Sequence, residues 1–303
     1  MEESKVSIVV PAYNAAEFLE DTLESAIAQT HKNIEVLVID DGSQDSTAEV
    51  AGRFSPPVRV IRTENQGVAM ARNTGIKEAT GDFIAFLDAD DLWEPDKLRL
   101  QLNRIDDVHR LVYSNTLSFG TESLANMNIS GGELLPSGEI REQLIQRNFI
   151  PTSSVLMDRQ IALEIGGFNP EIPVCDDWDC WLRALALTRA RYVDQPLVRY
   201  RVHPSSLGSN IKKRMDGSLM VIDAALASLD ATGPRKRQLR REGLSQCYTY
   251  AAILARSESR QLLALRLFSN AFFVSPSMSL VKEFAKTLLG PTIVNWLKPG
   301  SMQ

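Results

Sequence analysis

Val6-Ser7-Ile8-Val9-Val10-Pro11-Ala12-Tyr13-Asn14 is an apolar run that stops abruptly at turn-forming residues. A short, mostly apolar run such as Val6 to Val10 is what a parallel strand shows when helices cover both faces of its sheet. Ile34 to Ile39, Val58 to Ile61 and Phe83 to Leu87 repeat the pattern. Between the first two runs, Asn14 is placed to cap a helix whose third residue is Glu17. Its apolar positions Leu19, Leu23, Ala26 and Ile27 share one face. Further helices are expected from Asp45 or Ser46 to Phe54, from Gly67 to Ala79, and from Pro95 to Asp107. The first 110 residues therefore predict alternating α/β layers.

Downstream, Leu111 to Phe119 reads as a strand and leads into a Gly-, Asn- and Ser-rich loop reaching Gly138. A helix is expected from Asp176 to Ala190, because Trp178, Trp181, Leu182 and Leu185 recur at i, i+3, i+4 and i+7. Leu197 to Val202 is strand-like. Beyond His203-Pro204-Ser205-Ser206 the character changes to helix-forming stretches at 211–231, 235–256 and 259–273, then shorter ones to Trp296. The expected division is an α/β domain over 1–210 and a helical region over 211–303.

Of the 303 residues, 44% are hydrophobic and 23% charged, which is enough to bury a full core. A net charge of -5 and a pI near 5.4 argue against a nucleic-acid partner, which rewards a concentrated basic surface. Cys175, Cys180 and Cys247 are odd in number and lack CxxC spacing, so neither a disulfide framework nor a zinc site is indicated. Met1-Glu2-Glu3-Ser4-Lys5 lacks the pattern of a signal peptide, and no run of about 18 apolar residues is present to span a bilayer. The expectation is a cytoplasmic chain, soluble or held peripherally at the inner face of the membrane.

In open α/β sheets ligands gather beyond the carboxyl ends of the strands. Here those ends read Pro11-Ala12-Tyr13-Asn14, Asp40-Asp41-Gly42-Ser43 and Asp88-Ala89-Asp90-Asp91. An aromatic ring can stack on a nucleobase, and a carboxylate can accept from a base N–H or a ribose hydroxyl. Asp40, Asp41, Asp88, Asp90 and Asp91 converging on one crevice would repel one another, so a hard divalent cation is the natural partner of the cluster. A calcium loop of the EF-hand kind is excluded, because Leu92 and Trp93 stand where an oxygen ligand and a Gly are needed. A dinucleotide oxidoreductase would need GxGxxG after the first strand, and a pyrophosphorylase a Gly-rich basic loop there. Neither is present.

Val-Pro-Ala-Tyr-Asn (10–14), Val-Ile-Asp-Asp-Gly-Ser (38–43), Asn-Gln-Gly-Val-Ala-Met-Ala-Arg-Asn-Thr-Gly-Ile (65–76) and Leu-Asp-Ala-Asp-Asp (87–91) together resemble the family 2 glycosyltransferases. Gly166-Gly167-Phe168, Asp176 to Arg183, and Tyr200-Arg201-Val202-His203-Pro204 follow in that family's order, so the resemblance runs from residue 5 to 208. It implies a GT-A fold, mainly parallel, with the C-terminal helices as an appendage. It implies an inverting transfer from a nucleotide-diphospho-sugar, most simply a UDP-sugar, to a hydroxyl of a glycan or lipid-linked glycan. Surface polysaccharide or glycolipid synthesis is the implied setting. By position, Pro11 and Tyr13 would line the base, Asp41 would hydrogen-bond it, Asp88 would hold the ribose, and Asp90 would bind Mn²⁺ or Mg²⁺. Arg72 is a nucleotide contact or one half of a structural ion pair. His203 could reach the metal or diphosphate.

Transfer also needs a base for the acceptor hydroxyl. Asp177 is the candidate, at a helix start whose dipole favours the ionised form. Asp176, where the family usually shows Glu, and Asp179 are the runners-up, with helix capping the alternative role for Asp176. Asp91 is left as a cap or as a group that supports its neighbours from behind. The competing reading of a different class is a noncatalytic nucleotide-sugar binding module. His31 and His109 are expected at the surface. Among the C-terminal helices, Pro234 to Arg241 is a basic run that could meet anionic lipid or simply be solvated. Phe268, Phe272 and Phe273 are expected to cover the catalytic core, the alternative being to bind a lipid-linked acceptor or a partner helix. Residues 111–175 are left to shape the sugar and acceptor pocket.

Overall fold

The computed structural model describes residues 4–120, 132–202 and 210–296, with side chains to residue 289. Strands β1 (Val6–Ala12), β2 (Ile34–Asp40), β3 (Val58–Arg62) and β4 (Phe83–Phe86) are parallel, in the order β3-β2-β1-β4. Helices α1 (Leu19–Ile27), α2 (Thr47–Gly52) and α3 (Val68–Glu78) connect them. Every residue of β1 is buried, as expected of a strand covered on both faces. Val6, Ile8 and Val10 pack with Leu19, Leu23 and Ala26 of α1. Val9 faces the other way, onto α3, where a Cβ on Gly75 would stand 2.2 Å from its Cγ1. A side chain at 75 would push the helix off the sheet.

The second half of the sheet is mixed. It comprises β5 (Leu92–Trp93), β6 (His109–Gly120), β7 (Leu156–Asp158) and β8 (Arg189–Val202). The full order is β3-β2-β1-β4-β7-β6-β8-β5, with β7 antiparallel to both β4 and β6, and β8 parallel to β6. Helices α4 (Lys97–Leu102), α5 (Arg141–Gln146), α6 (Arg159–Glu164) and α7 (Asp176–Ala184) and a 3-10 turn at Thr152–Ser154 fill the connections. Because β2 and β3 lie to one side of β1 and β4 to the other, strand order reverses at β1/β4. That reversal is where an α/β sheet opens a ligand crevice.

The chain separates into two compact units. One, Met1–Arg141 with Asn148–Glu171 and Asp176–Ser206, contains the sheet. The other takes in Glu142–Arg147, Ile172–Cys175 and Leu207–Gln303. It carries α8 (Ile211–Ala227), α9 (Gly233–Ser257), α10 (Gln261–Val274) and α11 (Met278–Trp296). Ala251, Ala252 and Ala255 of α9 pack with Ala264, Leu267, Phe268 and Ala271 of α10, where small residues let the two helices approach closely.

Several expectations are corrected. Helix α1 begins at Leu19, not at Asn14; Asn14 sits at φ 49° and its Oδ1 accepts from the N–H of Gln44, so it fastens one loop to another. The helix from Asp176 stops at Ala184, and the remainder of its predicted span belongs to a turn and to β8, 14 residues long. Helix α4 is confined to Lys97–Leu102, well short of Asp107. His31 is buried, its Nε2 2.9 Å from the carbonyl of Ser4. Phe268 belongs to the helical unit's own core, while Phe272 and Phe273 are exposed.

Candidate active site

The ends of β1 and β2 are stitched together by backbone and by short polar side chains. The Asp41 N–H donates to the Ala12 carbonyl at 2.9 Å, the Asn14 N–H to Ser43 Oγ at 3.0 Å, and the Ala15 N–H to Thr47 Oγ1 at 2.8 Å. Gly42 turns the chain at φ 75°, and a Cβ there would meet the Asn65 nitrogen at 2.9 Å. Between these loops Pro11 is buried and Tyr13 is 49% exposed, so its ring is open to a stacking partner.

The two carboxylates that end β2 are occupied differently. Asp40 is fully buried, accepts the Ser43 N–H at 3.0 Å and pairs with Arg62 at 3.3 Å, which removes it from the cluster expected in the crevice. Asp41 accepts the N–H groups of Gln66 (2.9 Å) and Gly67 (2.8 Å), fixing the loop that enters α3.

Beyond β4 the chain turns through Asp88 to Asp91, with the Asp91 N–H bonded to the Asp88 carbonyl at 3.1 Å. Asp88 and Asp90 are partly exposed, whereas Asp91 is buried beneath them. Asp91 Oδ2 accepts from Ser153 Oγ at 2.6 Å and Oδ1 from the Arg201 N–H at 2.9 Å. Burial raises its pKa well above the usual carboxylate range, and the charges of Asp90 and Asp88 push the same way. Thr22 Oγ1 of α1 reaches the carbonyls of Ala89 (2.9 Å) and Asp91 (3.0 Å) from below. Arg201 Nε donates to the Asp90 carbonyl at 2.8 Å, its guanidinium lying over the rings of Phe18 and Phe119.

Arg72 of α3 joins this turn to α7. Its Nη2 donates to Asp88 Oδ1 at 2.7 Å and its Nη1 to Asp176 Oδ2 at 2.8 Å, while its guanidinium stacks 5.1 Å from the Phe168 centroid. Burial alone would weaken that charge, but Asp88 and Asp176 raise the arginine's pKa above its ordinary value. Asp179 pairs with Arg183 (Nε at 2.8 Å), which also donates to the carbonyls of Ile165 and Gly167. Both runners-up for the base are thus committed to arginines. Asp177, half-buried, instead accepts from Thr152 Oγ1 at 3.2 Å, from Asn148 Nδ2 at 3.4 Å and from the Trp178 N–H at 2.6 Å.

The Gly166-Gly167-Phe168 segment explains itself through Asn73. Its amide exchanges two hydrogen bonds with the Phe168 backbone, at 2.7 and 2.8 Å, and a Cβ on Gly167 would sit 2.2 Å from Asn73 Oδ1. Phe168 then meets Phe86 and Trp181 edge-on, at 5.1 and 5.7 Å, pinning α7 to the end of β4.

The structure therefore brings Asp88, Arg72 and Asp176, the neighbour of Asp177, onto one guanidinium, and gathers Pro11, Tyr13 and Asp41 at the adjoining strand ends. His203 lies outside the described residues. Thr22, Ser153, Thr152 and Asn148 carry no signal in a single sequence, because their partners lie 25 to 69 residues away. Among the described residues no group of three or more His, Cys, Asp or Glu is arranged to hold a metal by itself. Two partly exposed carboxylates beside a buried third fit a hard cation that takes one or two protein oxygens and completes its shell from a diphosphate and water.

Residues 7–166, more than half of the chain, match the family model described as glycosyl transferase family 2. The chain belongs to that family. It is 31% identical over 222 residues to the Escherichia coli UDP-Glc:alpha-D-GlcNAc-diphosphoundecaprenol beta-1,3-glucosyltransferase WfgD, covering 71% of this chain and 84% of WfgD. It is also 31% identical over 205 residues to an uncharacterized glycosyltransferase of Rickettsia felis, spanning 65% of this chain and only 34% of that relative's length. Among solved structures, S. aureus TarS 1-349 in complex with UDP-GlcNAc superposes with a TM-score of 0.66 at 18% identity, over 94% of this chain and 88% of that one. The mannosyltransferase PcManGT from Pyrobaculum calidifontis, in complex with GDP-Man and Mn²⁺, gives 0.64 at 19% identity, over 97% and 83%. The sheet is that of the GT-A glycosyltransferases.

Proposed function

We propose that this chain is an inverting, metal-dependent glycosyltransferase, with residues 1–210 as its catalytic domain. The donor is a nucleotide-diphospho-sugar, specifically a UDP-sugar. The acceptor is a hydroxyl of a glycan or lipid-linked glycan in surface polysaccharide or glycolipid synthesis. The observation that carries the reading is the Asp88–Arg72–Asp176 bridge, because it holds a donor-side carboxylate and the start of α7 on one buried group. WfgD by its name, and TarS by its bound ligand, support a UDP-sugar. Among the described residues no helix is long and apolar enough to cross a membrane.

Tyr13 stacks on the base above Pro11. Asp41, already fixed by two backbone N–H groups, offers its remaining lone pairs to the base, and Asp88 takes the ribose. By the family resemblance, His203 is the residue proposed to contact the metal or the diphosphate. Asp90 would hold Mn²⁺ or Mg²⁺, which when bound would stabilise the charge developing on the departing diphosphate. The acceptor oxygen forms its bond to the anomeric carbon as the bond from that carbon to the diphosphate oxygen breaks. The electron pair leaves with the nucleoside diphosphate. Asp177 receives the hydroxyl proton, and a single displacement of this kind inverts the anomeric centre.

The test is nucleotide release from a donor panel with Mn²⁺ or Mg²⁺. Asp177→Asn is expected to keep nucleotide binding and lose about 10²- to 10⁴-fold in kcat, the range of general-base catalysis. Asp90→Ala is expected to weaken metal-dependent donor binding. Donor binding by wild type with no turnover on any acceptor or water would instead identify a noncatalytic binding module.

A further inference from the structure

The 3-10 turn at Thr152–Ser154 sits entirely inside the sheet-bearing unit, and its three hydroxyl residues are 6%, 1% and 0% exposed. Three consecutive buried hydroxyls need partners, and the partners of two of them are carboxylate-bearing segments of the site. Ser153 Oγ donates to Asp91 Oδ2 at 2.6 Å and accepts the Asp88 N–H at 3.1 Å, so one oxygen fixes both ends of the acidic turn. Thr152 Oγ1 donates to Asp177 Oδ2 at 3.2 Å. The turn is itself held from behind. The Trp93 indole N–H donates to the Ser153 carbonyl at 2.8 Å, and Gln101 Nε2 to the Ser154 carbonyl at 2.7 Å. Lys97 stands behind both, its ammonium 4.0 Å from the Trp93 ring centroid and 2.7 Å from Gln101 Oε1.

Resting on the assignment of Asp177 as base and Asp88–Asp91 as donor site, we propose that Thr152 and Ser153 are positioning residues. Ser153 sets the donor-side turn, Thr152 aims the base, and their adjacency fixes the spacing between the two. A buried polar group left without its partner is costly, so each hydroxyl has leverage on the group it meets. The two contributions separate in kinetics, because one acts on the donor and the other on proton removal.

The experiment uses the full chain with MnCl₂, reading UDP binding by calorimetry, UDP release from UDP-glucose and UDP-N-acetylglucosamine, and thermal unfolding. Ser153→Ala is expected to weaken UDP binding tenfold or more and to raise the donor KM in proportion. Thr152→Val is expected to leave UDP binding and donor KM within twofold while kcat falls tenfold or more. Thr152→Ser, which keeps the hydroxyl, should restore kcat to within threefold of wild type. Loss of kcat and UDP affinity in parallel in Thr152→Val, tracking a drop in melting temperature, would overturn the proposal. So would unchanged UDP binding in Ser153→Ala. If Asp177→Asn abolishes turnover while Thr152→Val does not, the positioning role fails and the function stands. If Asp177→Asn retains wild-type kcat, the assignment of the base fails, and the role of Thr152 with it.

Discussion

Arg72 is the residue on which most of the site depends, and its worth is mainly in what it prevents. Of the two carboxylates paired to it, Asp88 is partly exposed but Asp176 is buried, so removing the guanidinium takes the partner from a buried carboxylate charge. Arg72→Met is therefore expected to lower the unfolding free energy by about 3–5 kcal/mol, the cost of breaking one side of a buried ion pair. Urea denaturation at neutral pH measures this. A double variant that also carries Asp176→Asn should recover part of the loss. The sequence expected Arg72 in the first turns of a helix, where α3 has it, but left open whether it met the nucleotide or formed an ion pair. The choice depends on Asp176, 104 residues away, and no local pattern encodes that distance. The same holds for Ser153 and Thr152. By contrast, the carboxylates of the Asp88 to Asp91 turn were legible, since several like charges at a strand end are a local anomaly.

Among the elements, the parallel strands were readable almost to the residue because each is a mostly apolar run bounded by turn formers. Strand β7 has three residues and β5 has two, too few for any periodicity. The expected helix from Asp176 takes in the first two residues of β8, Arg189 and Ala190, and the charged and apolar residues that follow up to Pro196 carry no clear period of their own. Strand β2 shows how such elements are locked once formed. Glu35 on β2 accepts from Ser7 Oγ on β1 at 2.6 Å, from the Thr80 N–H at 2.7 Å and from Thr80 Oγ1 at 2.8 Å, with Lys5 at 3.3 Å. Burial alone would raise its carboxyl pKa. The bonds from Ser7 and Thr80 and the charge of Lys5 outweigh that effect, lowering it from 4.5 to about 2. A depressed carboxylate stabilises the fold above its unfolded pKa and loses that contribution as pH falls through the folded one. Wild type should therefore lose stability between about pH 4.5 and 2, and Glu35→Gln should flatten the slope in that window. Urea midpoints taken across that range check it.

Over the whole molecule, charge is divided sharply along the sequence. Residues 211–303 carry 14 Lys and Arg against six Asp and Glu, a net +8, while residues 1–210 carry 19 against 32, a net -13. The helical unit also exposes Leu262 (84%), Phe273 (82%) and Met278 (72%). Basic charge with exposed apolar side chains suits an anionic lipid surface, where each Lys or Arg near the headgroups contributes about 1 kcal/mol. The full chain is expected to sediment with phosphatidylglycerol-containing vesicles at low salt, to be released at high salt, and to bind less after Phe273→Asp or Arg237→Glu. Sedimentation that ignores salt and both substitutions would rule out this attachment. None of it was visible in the overall charge of -5, because the two regions cancel.

The place of β7 between β4 and β6 has a consequence for how the chain is made. The edge of β4 that β7 will cover is finished at Phe86, but its partner begins only at Leu156. At a synthesis rate of about 5–20 residues per second, the nascent chain carries that open edge for roughly 4–14 seconds. An unpaired strand edge is a template for adhesion to other chains. Slowing translation between these two strands should therefore lower the soluble yield more than slowing it anywhere after β7.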